Sequence, residues 1–244
     1  SGSLFKKPGD LGGSAMSARR ADWRKKRQQE HLPKRNCYYI FCEGEKTEPQ
    51  YFSGFKQLIE ENPAYKNMVQ VEIEPCGAET MRVLDQAVRY AEKNHLTYGQ
   101  IWCVYDKDDF PASDFNSVGD RVNQLSHRTS ELQFYTAWSN ECIEFWFILH
   151  FAYYTSNNHR TAYITFLNQK FQELGVGKYK KNMPNLFEIL MDCGNPKQAI
   201  RYAARIIEEH PTQPPADIAP GTTVHKLVKE LAEYLPEPQR SKFL

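Results

Sequence analysis

The sequence predicts an α/β fold: a mostly parallel four-stranded sheet flanked by helices, followed by a helical C-terminal third. Three observations carry this. Short apolar runs rich in β-branched and aromatic residues recur at 37–42, 68–73, 101–105 and 132–138. Such runs read as strands buried on both faces. Segments with apolar residues at helical spacing separate them, and that alternation implies crossovers to parallel neighbours. Beyond Tyr154 the short apolar runs stop and helical patterns remain.

Residues 17–36 are polar and basic, with Trp23 and Leu32 the large apolar side chains, so no wide apolar stripe is available for core packing. Cys37–Cys42 is the first strand. It ends at Glu43-Gly44-Glu45-Lys46, where Gly44 permits a tight turn. Thr47-Glu48-Pro49-Gln50 reads as a helix start, with Thr47 as N-cap and Gln50 completing a capping box. Tyr51, Phe52, Phe55, Leu58 and Ile59 continue at helical spacing until Asn62-Pro63. Met68–Ile73 is the second strand, and 80–94 a helix with Val83, Leu84, Ala87, Val88 and Ala91 on one face.

The third strand, Ile101–Tyr105, runs into Asp106-Lys107-Asp108-Asp109. A helix over about 114–127 follows, then the fourth strand, 132–138, ending at Ser139-Asn140-Glu141. Ile143–Phe151 is apolar almost all round after Glu144, which marks a buried helix. Helices are predicted at 161–174, 186–193 and 196–209, with a basic loop at Lys178-Tyr179-Lys180-Lys181. A proline-rich loop precedes a last helix, capped by Thr222 or Thr223, through Val224, Leu227, Val228 and Leu231. The expected organisation is a cloning scar plus flexible basic arm (1–36), an α/β domain (37–155) and a helical extension (156–244). Ser1-Gly2-Ser3 suggests a vector-derived leader, with the natural start expected near Met16.

The net charge of +1 hides an uneven spread. Residues 1–36 hold ten Lys and Arg against three acids, about +7, which leaves the body near −6. A basic arm suits attraction to phosphate. The six cysteines form no C-x-x-C pair and read as reduced thiols used as small hydrophobes, as expected of a cytoplasmic protein. No 18-residue apolar run and no secretory signal is visible, so no membrane partner is expected.

Acidic clusters fall at the ends of three of the four predicted strands: Glu43 after the first, Asp106 and Asp108 after the third, Glu141 and Glu144 after the fourth. In a parallel sheet these ends share one edge, where such sheets carry their ligand sites. Side chains two apart on an extended backbone point the same way, so Asp106 and Asp108 could converge on one cation. Crowded carboxylates repel and are costly to desolvate, and a divalent cation removes that cost. Mg²⁺, or Mn²⁺ in its place, suits all-oxygen ligands.

A glutamate after the first strand and D-x-D after the third resemble the Toprim catalytic domain of topoisomerases, primases and overcoming-lysogenization-defect nucleases. More closely, EGEKTEPQYF (Glu43–Phe52), VYDKDDF (Val104–Phe110), SNECIEFWFILHF (Ser139–Phe151) and TTVHKLV (Thr222–Val228) resemble the RloB-like family. That resemblance implies a Toprim-like fold and a Mg²⁺-dependent nuclease-like subunit of phage defence and abortive infection, often paired with an ATPase. It implies Glu43 as general base or metal ligand, and Asp106 and Asp108 as metal ligands. Pro is expected in many relatives between Asn140 and Cys142, where this chain has Glu141, which favours Glu144 over Glu141 as a shared ligand.

Around these residues, Lys46 stands at a helix start, a ready anion site, or pairs with Glu45 or Glu48. Lys178, Lys180 and Lys181 could line a nucleic-acid path with Tyr179 stacking on a base, or form a solvated loop. His225, on the first turn of the last helix, is a candidate substrate contact or a capping or core histidine. His150 reads as a satisfied core residue, Lys107 as solvated, and Asp109 as a cap or turn. The expected partners are RNA or DNA and an ATPase, with a homo-oligomer left open. Two other functions compete: a non-catalytic Toprim-like module binding nucleic acid or the ATPase, and a haloacid-dehalogenase-like phosphatase, which also uses D-x-D but places its nucleophile after the first strand.

Overall fold

The computed structural model describes residues 35–77, 80–128 and 131–244. The basic arm lies outside the described residues but for Arg35 and Asn36. Four parallel strands, β1 (Asn36–Cys42), β2 (Val69–Pro75), β3 (Gly99–Asp106) and β4 (Leu132–Asn140), form a sheet in the order β2-β1-β3-β4. Helices α1 (Thr47–Glu61), α2 (Thr80–Lys93) and α3 (Ala112–Ser126) connect them. The central β1 and β3 are buried along nearly their whole length, which explains their unbroken apolar runs.

The sheet has a fifth strand where the sequence pattern predicts loop. β5 (Gly221–Thr222) pairs antiparallel with the end of β4, Ser139 opposite Thr222 and Asn140 opposite Gly221. Two residues cannot show a period, and this pair is joined by polar groups: the Ser139 and Thr222 hydroxyls are 3.1 Å apart. Thr223 does hold the N-cap position of the helix that follows, but without a side-chain capping bond, because its hydroxyl accepts the Trp138 N–H at 3.0 Å.

The remaining helices are α4 (Glu144–Leu149), α5 (Arg160–Glu173), α6 (Leu186–Asp192), α7 (Pro196–Glu208), α8 (Val224–Ala232) and the short α9 (Gln239–Phe243), which sequence pattern does not reveal. Every residue of α4 is buried. These helices share the core of the sheet. Phe55 of α1 meets Phe187 of α6 at 4.8 Å between ring centroids and Phe243 of α9 at 5.2 Å. The Trp146 indole donates to the Tyr51 hydroxyl at 3.0 Å inside the same layer. Truncating a fully buried ring such as Phe55 costs about 3–5 kcal/mol. Arg35–Leu244 is accordingly one compact unit.

Among the described residues no helix is long and apolar enough to cross a membrane. Cys37, Cys42, Cys103 and Cys142 are buried free thiols, Cys76 is half-buried and Cys193 exposed.

A candidate active site at the carboxyl edge of the sheet

The parallel register brings the ends of β1, β3 and β4 level: Cys42 pairs with Val104, and Asp106 with Ser139. Glu43 extends the ladder one residue, its N–H donating to the Val104 carbonyl at 2.9 Å. Its Oε2 accepts the Asp106 N–H at 2.8 Å, so Glu43 and Asp106 meet at the same edge. A cavity of about 480 Å³ opens there. Six acidic residues line it: Glu43, Glu45, Glu48, Asp106, Asp108 and Glu144. Lys46, Arg160 and Lys181 line it as well.

Asp106 and Asp108 do not sit on one extended stretch, as their spacing suggests. β3 ends at Asp106, and Asp108 takes a left-handed conformation, φ +39°. Asp tolerates that region better than most residues. The turn follows the end of β4: the Lys107 N–H donates to the Ser139 carbonyl at 2.8 Å, and the Asp108 N–H to the Glu141 carbonyl at 2.9 Å. Both carboxylates still reach the cavity. Lys107 is not simply solvated, since its ammonium donates to the Phe110 carbonyl at 2.5 Å. Asp109 is exposed.

Glu48 is the residue that sequence reasoning misses. Its place in the pattern assigns it to the helix start, yet it is 5 % exposed and faces the cavity. The signal is present: Glu48, Phe52, Phe55 and Ile59 form one stripe at helical spacing, so Glu48 lies on the buried face of α1. Gly44 lets it close in, since a Cβ there would fall on the Glu48 carboxylate. Thr47 is not the cap of α1. Lys46 holds that position without a side-chain bond, and the Thr47 hydroxyl donates instead to the Lys181 carbonyl at 2.6 Å.

Burial, then the neighbouring Glu144 charge, pushes the Glu48 carboxyl from 4.5 up to about 7, against opposing help from backbone N–H groups and Lys181. Asp106 is driven well above the usual carboxylate range by burial and by Glu48, Glu144, Glu43 and Asp108, in that order. Asp108 is raised by burial, with Arg160 and Lys181 pulling the other way.

The two glutamates after β4 part company. Glu144, 2 % exposed, lines the cavity and accepts the Tyr179 hydroxyl at 2.9 Å. Glu141 faces His159 Nε2 at 3.6 Å and Arg160 Nε at 4.0 Å, and is not part of the cavity lining. The Asn140–Glu141 peptide is cis.

In the basic loop, Lys178, Lys180 and Lys181 are exposed, and Lys181 reaches the cavity. Tyr179 does not stack on a base, because it is buried with its hydroxyl committed to Glu144. His225 is not a substrate contact in this cavity. It is buried on α8, its Nδ1 lies 3.2 Å from the Thr222 carbonyl, and burial lowers it from 6.5 to about 4. His150 is likewise buried and lowered to about 4, with Nδ1 on the Trp146 carbonyl. Among the described residues its Nε2 has no hydrogen-bond partner, so it is only half satisfied.

The sequence comparison with known families completes the picture. The family model described as RloB-like protein matches residues 38–231. The chain belongs to the RloB-like family. No curated protein and no solved structure matches it. The match to this RloB-like chain runs from β1 into α8 and so takes in every cavity carboxylate and cation named above.

The donor set is one a hard cation fits: carboxylates only, crowded and desolvated. Among the described residues, however, no three His, Cys, Asp or Glu side chains stand in ready coordination geometry. The reason is on view: Glu43 is engaged with a backbone N–H, Asp108 with Arg160 and Glu144 with Tyr179. Coordination requires some of these side chains to turn.

Proposed function

We propose that this RloB-like chain is a divalent-cation-dependent nuclease, cleaving phosphodiester bonds of RNA or DNA in phage defence, with an ATPase as protein partner. The observation that carries the reading is the meeting of six acidic residues with three cations in one cavity at the carboxyl edge of a parallel sheet. Glu43, Glu48, Asp106, Asp108 and Glu144 are the residues that would hold Mg²⁺ or Mn²⁺. When bound, such an ion polarises a phosphate oxygen and lowers the pKa of water.

The chain's own groups do the rest. Lys46, Arg160 and Lys181 offer positive charge to phosphate oxygens. Glu48, pushed up to about 7, suits proton exchange with water at neutral pH, and Glu43 is the alternative base. Tyr179 and the Lys181 carbonyl tie the basic loop to Glu144 and α1, which keeps Lys181 beside the cavity. A phosphatase of the haloacid-dehalogenase type would need a nucleophilic aspartate at the end of β1, and Glu43 stands there.

A second reading, a binding module without catalysis, draws on the engagement of Glu43, Asp108 and Glu144 with donors. The ATPase partner and the defence role rest on the family resemblance. The deciding experiment incubates the protein with Mg²⁺ or Mn²⁺ and mixed RNA and DNA substrates. Cleavage that is lost with EDTA and in Asp106→Asn supports the nuclease. Binding without cleavage supports the module.

A further inference from the structure

The carboxylate cavity already contains a cation of its own. Arg160 is the first residue of α5, a place that helices favour for acids because the dipole is positive there. His159 caps this helix through its Nδ1, so Arg160 is not needed to start it. The Arg160 guanidinium instead grips Asp108 through Nη2, and its Nε lies 4.0 Å from Glu141. Lys46 and Lys181 also line the cavity, yet among the described residues neither makes an ion pair, so Arg160 is the lining cation fixed on a carboxylate. Asp108 is held for it by the left-handed turn and by its N–H on the Glu141 carbonyl. A guanidinium fork fits a carboxylate and a phosphate equally well.

We propose that Arg160 is an exchange residue: it occupies Asp108 while the cavity lacks a divalent cation, competes with that cation for the carboxylate, and on displacement turns to a phosphate of the nucleic acid. The inference rests on the metal-dependent reading above and adds an order of events to it. It accounts for a cluster of six acidic residues staying folded without metal, because one negative charge is neutralised from within.

The test measures Mn²⁺ affinity by calorimetry, with no substrate present, for wild type, Arg160→Gln and Arg160→Lys. Removing the competitor should tighten Mn²⁺ binding about three- to tenfold, the range of a partly buried ion pair. Arg160→Lys keeps a positive charge and should stay closer to wild type. In Ca²⁺, Arg160→Gln should bind a single-stranded oligonucleotide more weakly than wild type does. Equal or weaker Mn²⁺ affinity in Arg160→Gln overturns the proposal. If Arg160→Gln does not fold, wild type still decides: the Arg160 ¹⁵Nε resonance, identified by its loss in Arg160→Lys, should move on Mg²⁺ addition, and an unmoved signal refutes the exchange. Absence of Mn²⁺ binding in all three proteins would overturn the metal reading itself, an outcome distinct from unchanged affinity.

Discussion

Replacing Glu48 with Gln should stabilise the metal-free protein above neutral pH. Glu48 is almost fully buried, and its carboxyl is raised from 4.5 to about 7. Below pH 4.5 the group is protonated in both folded and unfolded chains and contributes nothing to the pH dependence. Between 4.5 and 7 the unfolded chain ionises while the folded chain keeps its proton, so stability falls as pH rises. Above 7 both are ionised and the whole penalty is present, about 3 kcal/mol, since each pH unit across that interval costs roughly 1.36 kcal/mol. Glu48→Gln removes that penalty and keeps the side-chain shape. It also weakens the charge-assisted bond from the Gly44 N–H, at a cost of about 1 kcal/mol. The net gain at pH 8 should be about 2 kcal/mol, vanishing near pH 4. Asp106 shares this titration, so its own slope should soften in the variant. Urea denaturation in EDTA at pH 4, 6 and 8 reads the effect. A variant no more stable than wild type at pH 8, or with an unchanged slope between pH 5 and 7, would refute the reasoning.

Tyr179→Phe keeps the core volume but leaves the buried Glu144 without its hydroxyl donor, and should cost about 1–3 kcal/mol in the same assay. A loss below about 0.5 kcal/mol would mean that another group satisfies Glu144. Deleting residues 1–34, which hold nine Lys and Arg against three acids, should weaken oligonucleotide binding and flatten its dependence on salt, measured by fluorescence anisotropy. An unchanged salt slope would place the phosphate contacts in the body.

The sheet is legible because four apolar runs alternate with amphipathic helices, and burial on both faces leaves that mark directly in the residues. The edge position of Glu43, Asp106 and Glu144 follows from parallel topology alone. Glu48 is legible in principle, as a carboxylate on the apolar stripe of α1, but its fit to a helix start hides it. Other features depend on partners distant in sequence and leave no local mark. Arg160 reaches Asp108 from the far side of α4 in the chain, Tyr179 is committed to Glu144, and β5 exists because Ser139 and Asn140 offer it an edge. The bend at Asp108 comes from the end of β4 and not from its own neighbours, so the extended D-x-D that local spacing suggests does not form.

The central claim is that these carboxylates share a divalent cation. A crystal soaked in Mn²⁺ and examined at the manganese edge tests it most directly. The account predicts an anomalous peak inside the cavity, about 2 Å from oxygens of Asp106 and of at least one of Glu43, Glu48, Asp108 and Glu144. A peak only at surface acids, or an empty cavity at saturating Mn²⁺, would contradict it.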